Sequence, residues 1–297
     1  MKKHKQPLGF EPGIYFGMGE RDYHNDPALS HSGMVSLLES YLDYWLNSPL
    51  NPERTFKATD AMIFGTRSHE YLMDEAGFFQ KYSVPGRTWE LGKVTIATND
   101  FHKIKESIDE IKNVPDVYNH FTLGVPEVTM IVRCRITGIV LRIRIDYMRT
   151  FGMMEYKRCR SLQNNLLGRH ITDFGYDIQN RLYMDVATQA REELRAGTIK
   201  AYGEYDPAFL KAFMGDDDML CKMLFQRSTA PYIFEFADFA PDVLDNAGVH
   251  IEHAKRVYAE GINTYGIKRP PAGNSKTRTF TTYHIGRRII DRGDHQL

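Results

Sequence analysis

The chain has 297 residues with 42% hydrophobic and 12% aromatic content, enough to bury one large core or two small ones, which excludes a disordered or low-complexity polypeptide. Thirty-eight basic residues balance 38 acidic ones, so no global field attracts a polyanion and any site for one has to be local. No apolar run approaches the ~18 residues needed to span a bilayer, MKKHKQPLGF has no apolar signal core, and Cys134, Cys159 and Cys221 are too scattered for a disulfide framework or a CxxC metal site. These features predict a soluble, cytoplasmic protein with no membrane partner.

In chain order, residues 30–49 predict one helix, with Ser30 or Ser32 as N-cap, Met34, Leu37, Leu38, Leu42 and Leu46 at helical spacing, and Pro49 as the stop. A second helical pattern starts near Ala61 and carries GTRSHEYLMDE, and residues 98–113 give a third, closed by Asn113 and Pro115. The texture then turns to alternating branched and aromatic residues in EVTMIVRCRI, GIVLRIRIDYM and MMEYKRC, which predicts a meander of three strands. Residues 174–197 predict a long helix with Phe174, Ile178, Leu182, Val186, Ala190 and Leu194 on one stripe and Gly197 as its end. TIKAYGEYDPAFLKAFMGDDDM reads as an insertion, and its Asp216, Asp217 and Asp218 as a solvated acidic stretch. MLCKMLFQ and PYIFEFADF predict two more strands, and DVLDNAGVHIEHAKRVYAEGI a last helix with His250 and His253 on the surface. This order predicts an α/β fold, a mixed central sheet flanked by helices, in a single domain over 1–265 with an N-terminal helical segment. Residues 266–297, rich in Pro, Gly, Thr and Arg, predict a basic extended tail.

The stretch from Arg142 to Arg160 carries charges where the pattern asks for a half-buried hairpin. With the turn centred on Thr150 and Phe151, Asp146 lies opposite Glu155 at a Cβ separation of about 5 Å. Glu155 and Lys157 share a face because side chains alternate, and Arg144 shares one with Asp146. Opposed carboxylates repel in a bare sheet, but a divalent cation between them reverses the sign. Oxygen ligands favour Mg²⁺, with Mn²⁺ as a substitute, and such ions accept phosphate oxygens as further ligands, which suits phosphodiester hydrolysis. An exposed Glu and Lys on an edge strand produces the same short pattern without chemistry.

FGTRSHEYLMDE, then RIRIDYM with MEYK, then YDIQNRLYMD resemble, in order and spacing, the GTxxH helix, the acidic core motifs and the Q-xxx-Y helix of the PD-(D/E)XK nuclease superfamily, in its RecB-like branch. YHNDPALSHSGMVSLLES and LFQRSTAPYIFEFADFAPDVL resemble segments of the exonuclease VIII (RecE-type) group within that branch, so the similarity covers roughly residues 13–273. The resemblance implies a restriction-endonuclease-like core in which Asp146 and Glu155 are the metal carboxylates, the Tyr156 main-chain carbonyl is a further ligand, and Lys157 is the catalytic lysine. It also implies that His69 is an extra metal ligand or touches the reacting phosphate, that Gln179 and Tyr183, four apart on a helix, hold the site and a DNA backbone, and that Glu127 is an accessory acid. Arg158 stands where the family usually has Thr or Ser, and with Arg144, Arg287 and Arg288 it is expected to contact DNA. The implied activity is Mg²⁺-dependent digestion of linear double-stranded DNA from its ends, 5′ to 3′, for recombination, by a ring-like homo-oligomer working with a single-strand DNA annealing protein in a bacterial or phage-infected cell. Three scattered cysteines do not match the related class that holds an iron–sulfur cluster through four. A non-catalytic DNA-binding or assembly protein on the same fold, or an endonuclease with the same core, is the alternative.

Overall fold

The computed structural model describes residues 6, 7, 9–55, 57–86 and 92–271, so the tail arginines Arg287 and Arg288 lie outside the described residues. Strand β1 (Gly13–Tyr15) and helix α1 (Glu20–Asn25) lead to α2 (His31–Glu39), whose N-cap Ser30 accepts the Gly33 amide as the sequence predicts. The helix does not continue to Pro49. Ser40 adopts extended backbone geometry and its hydroxyl accepts the Asp43 amide at 3.0 Å, so a capped second helix, α3 (Tyr41–Asn47), starts there. Next come α4 (Asp60–Met73), capped by Thr59, and α5 (Glu75–Lys81). A short parallel pair follows, β2 (Tyr82–Ser83) with β3 (Val94–Thr95), and then α6 (Thr98–Lys112). Pro115 opens the one-turn helix α7 (Pro115–Tyr118), because a proline at the first helical position has no amide to leave unpaired.

The meander forms as β4 (Val125–Arg133), β5 (Val140–Arg149) and β6 (Gly152–Cys159). The long helix expected from Phe174 is two helices, α8 (Asn164–Phe174) and α9 (Tyr176–Arg195). Gly175 between them sits in the left-handed region (φ 65°, ψ 39°), a turn that costs a glycine nothing and places Phe174 on the earlier helix, off the apolar stripe. The insertion supplies β7 (Lys200–Tyr202) and α10 (Pro207–Gly215). Buried Arg191 donates to the carbonyls of Asp216 and Asp218, and Arg195 pairs with Asp217, which ties the acidic stretch to α9. Strands β8 (Leu220–Arg227) and β9 (Phe234–Ala237) precede α11 (Pro241–Tyr265). Because α11 packs on both α2 and α9, His250 is buried, contrary to its expected surface position. The carbonyls of Gly266 and Ile267, just past α11, accept from Tyr41 Oη (3.2 Å) and Trp45 Nε1 (3.0 Å), so the segment is docked on α3 there.

Among the described residues the main sheet has seven strands in the order β7-β1-β4-β5-β6-β8-β9. It is mixed: β6 runs parallel to β8 and β1 to β7, while β1–β4, β4–β5, β5–β6 and β8–β9 are antiparallel. One face buries Val128, Met130, Ile143 and Ile145 against Ile178, Leu182 and Val186 of α9. The other buries Tyr147, Met154, Tyr156 and Leu224 against Leu72 of α4 and Ile104 and Ile108 of α6. The fold is thus the expected mixed sheet between helices. No helix among the described residues is long and apolar enough to cross a membrane.

The feature that positions the site is a fork in the middle of this sheet. The hairpin register is the expected one, with Arg149 opposite Gly152 and Tyr147 opposite Met154, but it ends after three pairs. Beyond Tyr147, β5 stays with β4, while β6 pairs along its whole length with β8. The edge of β5 thus exposed is taken up by the chain before α2: Leu29 donates to the Val140 carbonyl and accepts from the Arg142 amide.

Candidate active site

Asp146 and Glu155 stand at the crotch of this fork, and side chains replace the ladder bonds that the parting strands lose. The Asp146 amide donates to Glu155 Oε1 (3.1 Å), and the Tyr156 amide donates to Asp146 Oδ2 (3.0 Å). Two backbone donors that separation would leave unpaired are satisfied by the two carboxylates. The expected opposition of Asp146 and Glu155 therefore exists as a reciprocal carboxylate–amide clamp, not as a continuation of the ladder.

The alternation of side chains also breaks at this level. Ile145 and Met148, three apart on β5, both face α9, and on β4 so do Val125 and Val128. Glu127 and Asp146 fall between the paired positions Pro126 with Tyr147 and Val128 with Ile145, and Glu127 has a left-handed φ of 58°, which a residue with a side chain adopts only at a cost. Strict two-residue periodicity thus fails where the acids sit.

Charge is balanced inside the fork. Lys157 Nζ lies 2.9 Å from Glu155 Oε2 and 3.3 Å from Asp146 Oδ2, with the Glu155 side chain fully buried and those of Lys157 and Asp146 only 13% and 15% exposed. Burial alone would lower the Lys157 pKa, but the two carboxylates outweigh it and hold the ammonium above the ordinary lysine value. Burial and the neighbouring Asp146 charge push Glu155 up to about 8. Asp146 goes the other way: burial opposes its charge, but Lys157 and the Tyr156 amide prevail and keep it below the ordinary aspartate value. The pair therefore splits into a firmly ionised Asp146 and a Glu155 that takes a proton readily.

Residues from both faces reach the fork. From α4, His69 brings Nδ1 to 3.4 Å from Asp146 Oδ2, its ring packs at 4.9 Å on Tyr156, and burial lowers its pKa, which favours the neutral imidazole. From α9, Gln179 Nε2 donates to Glu155 Oε2 at 2.6 Å, and Tyr183 Oη donates to the Arg144 carbonyl at 3.0 Å. Gln179 thus holds one branch of the fork and Tyr183 the other, and both are buried with their polar ends engaged inside it. Tyr176, one helical turn before Gln179, is a residue the sequence motifs do not single out; its ring lies 5.7 Å from Lys157 Nζ. The spacing 176, 179, 183 puts the three on one helix face, and that was the available signal.

Two expected DNA contacts are otherwise engaged. Arg158 points away from Lys157, to the α4–α6 face, where it reaches Ser107 Oγ (3.3 Å) and the Ser228 carbonyl (3.0 Å) and covers the Phe64 ring at 4.6 Å. Alternation along β6 dictates this, so the Arg158 side chain packs on the face opposite the fork. Arg144 is ion-paired to Glu127 and donates to the Met18 carbonyl at 3.0 Å. Tyr156 directs its hydroxyl to Gln226 Oε1 (2.6 Å), so only its backbone is available to the site.

Among the described residues no three His, Cys, Asp or Glu side chains close into a metal cage. What the fork offers is two carboxylates with further oxygen and imidazole donors nearby. That set fits a hard divalent ion such as Mg²⁺, which is ordinarily held by one or two carboxylates and completes its shell with water and phosphate oxygens.

A family model described as a PDDEXK-like domain of unknown function, DUF3799, matches residues 30–224. The chain belongs to that family. The PDDEXK-like domain therefore spans both acids, the lysine and the helices that hold them, which places the protein in the PD-(D/E)XK nuclease superfamily. Its fold is similar to the crystal structure of a protein from Eubacterium rectale described as a "Putative exonuclease", with a TM-score of 0.55 and 14% identity over 82% of this chain and 85% of the other. No curated protein matches the sequence.

Proposed function

We propose that this PDDEXK-like domain is a metal-dependent exodeoxyribonuclease that hydrolyses linear double-stranded DNA from its ends. The observation that carries the reading is the fork itself: two carboxylates on diverging strands, bridged by a buried, charged lysine and braced by Gln179. A packing role gives no reason to hold two acids together in the interior, since replacing buried ion pairs by apolar residues is often neutral or stabilising.

Asp146 and Glu155 would hold a Mg²⁺ ion, or Mn²⁺ in its place, with the Tyr156 carbonyl and His69 as further donors. When bound, such an ion polarises the phosphodiester and offsets charge that builds up during hydrolysis. Lys157, kept protonated by its two neighbours, opposes negative charge on the phosphate and orients what approaches it. Gln179 fixes the Glu155 carboxylate, and Tyr183 fixes the β5 backbone two residues before Asp146. Low exposure limits competing water around these groups.

The choice of DNA ends is supported by the exonuclease VIII resemblance and by the description of the Eubacterium rectale structure. The same resemblance supports 5′ to 3′ digestion that exposes single strands for recombination, a homo-oligomeric ring and a single-strand annealing protein as partner. The test is incubation with linear and covalently closed duplex in Mg²⁺ and in EDTA, with the label on either end. Loss of linear DNA only, abolished by EDTA, with release beginning at the 5′ label, is the expected result. Cutting of the closed circle would make it an endonuclease, and intact DNA in every lane would remove the nuclease reading.

A further inference from the structure

We propose that Phe174 and Tyr176 form a stacking platform for a nucleobase of the strand whose phosphodiester enters the fork; the inference rests on the nuclease reading above. Tyr176 lies 5.7 Å from Lys157 Nζ, and the Phe174 ring stacks on it at 5.7 Å between centroids with the planes 12° apart. Starting at the charged fork, these two nearly parallel rings lead outward. The outer ring is 54% exposed, although it stands beside one of the most polar sites in the molecule. The platform therefore adjoins the place where a phosphate would bind, within the reach of one or two nucleotides.

The rings are pre-oriented. Gly175 makes the left-handed turn that brings them onto each other, and its carbonyl bonds His31 Nε2 at 2.9 Å. His170, one turn before Phe174, packs at 4.7 Å on its ring and has Nε2 3.2 Å from the Arg158 carbonyl. Tyr176 also leans on buried Phe225 at 5.6 Å. Little freedom remains to be lost when a flat ligand arrives. A nucleobase is the occupant that matches: every base has a π-face, so a carbon-only ring serves an enzyme that must accept any sequence, while the fork holds the phosphate. An aliphatic partner would need volume, not a ring.

The test compares wild type with Phe174→Ala, Phe174→Leu and Phe174→Trp. Each is mixed with linear duplexes carrying 2-aminopurine at successive positions near the end of the strand to be cut, with Ca²⁺ for binding and Mg²⁺ for cleavage. Stacking quenches this base, so wild type and Phe174→Trp are expected to quench it at one position, and Phe174→Ala and Phe174→Leu are not. KM for cleavage is expected to rise roughly fivefold to a hundredfold in Phe174→Ala and Phe174→Leu and to be restored by Phe174→Trp, with kcat and melting temperature little changed. Leucine keeps apolar volume, so wild-type kinetics in Phe174→Leu would assign Phe174 to packing and overturn the platform. Cleavage by wild type without quenching at any position would also overturn it and leave the nuclease reading standing. Intact DNA with no quenching would remove both.

Discussion

The side-chain amide of Gln179 lies 2.6 Å from Glu155 Oε2, the same oxygen that holds the Lys157 ammonium at 2.9 Å. Glu155 is fully buried, so that oxygen has no recourse to water if the amide is lost. Gln179→Ala should therefore cost about 1–3 kcal/mol in urea unfolding through the loss of one buried hydrogen bond to a carboxylate oxygen that Lys157 still holds. It should also reduce cleavage of linear duplex, because Glu155 is then free to reorient. Gln179→Glu should be worse, since it introduces another acid beside two carboxylates. A variant with wild-type stability and activity would mean that the bond positions nothing.

Lys157 is the counter-charge of the fork, and its removal should be felt in stability as well as activity. Lys157→Ala leaves Asp146 and Glu155 facing each other, and breaking a buried ion pair from one side costs about 3–5 kcal/mol. Mg²⁺ is expected to return part of that loss by taking the ammonium's place, so melting of Lys157→Ala should rise more on adding Mg²⁺ than that of wild type. Asp146→Ala leaves Lys157 paired with Glu155 and should fold, but both variants should fail to cleave linear DNA. Full cleavage by either one would end the assignment of the fork as the catalytic centre.

Much of this centre was legible in the sequence, and the reason is local. The three strands of the meander alternate clearly, the turn at Thr150 and Phe151 sets the hairpin register, and Gln179 and Tyr183 share a face at helical spacing. What escaped was non-local or rested on single residues. The fork depends on β6 preferring β8, whose paired residues lie 68 positions later in the chain. The inversion at Glu127 and Asp146 breaks the two-residue periodicity of the strands, and β1 and β7, three residues each, are too short to be periodic. Gly175 and Ser40 each end a helix inside a stretch whose apolar spacing continues past them, so periodicity alone does not mark them. Arg158 is expected on DNA, but the alternation that puts Lys157 in the fork sends its neighbour to the other face.

The pH dependence follows from Glu155, whose pKa burial and Asp146 raise to about 8. An acid with a raised folded pKa carries a proton in the native state that the unfolded chain has already released. This group therefore makes the metal-free protein less stable as pH rises from the ordinary glutamate range to about 8, and the slope should vanish in Glu155→Gln. Metal binding has the opposite sign, because the ion needs the ionised carboxylate. Mn²⁺ affinity, measured by titration calorimetry or electron paramagnetic resonance, should climb by up to about tenfold per pH unit below that value and level off above it. A flat profile from pH 6 to 9 would show that no proton leaves Glu155 on metal binding in that range.

Arg158 provides a prediction about what does not touch DNA. Its guanidinium joins Ser107 on α6 and the Ser228 carbonyl after β8, over Phe64 of α4, so it holds β6 to the helices on the face opposite the fork. Arg158→Ala should lower unfolding free energy by about 1–3 kcal/mol through lost hydrogen bonds to a charged group. It should leave the salt dependence of DNA binding as it was, because each phosphate contact contributes about 0.9 to the slope of log K against log salt and Arg158 makes none. The comparison needs binding curves at several salt concentrations, at a temperature where the variant is still folded. A slope reduced by about one would place the Arg158 side chain on a phosphate and contradict its position in the α4–α6 layer.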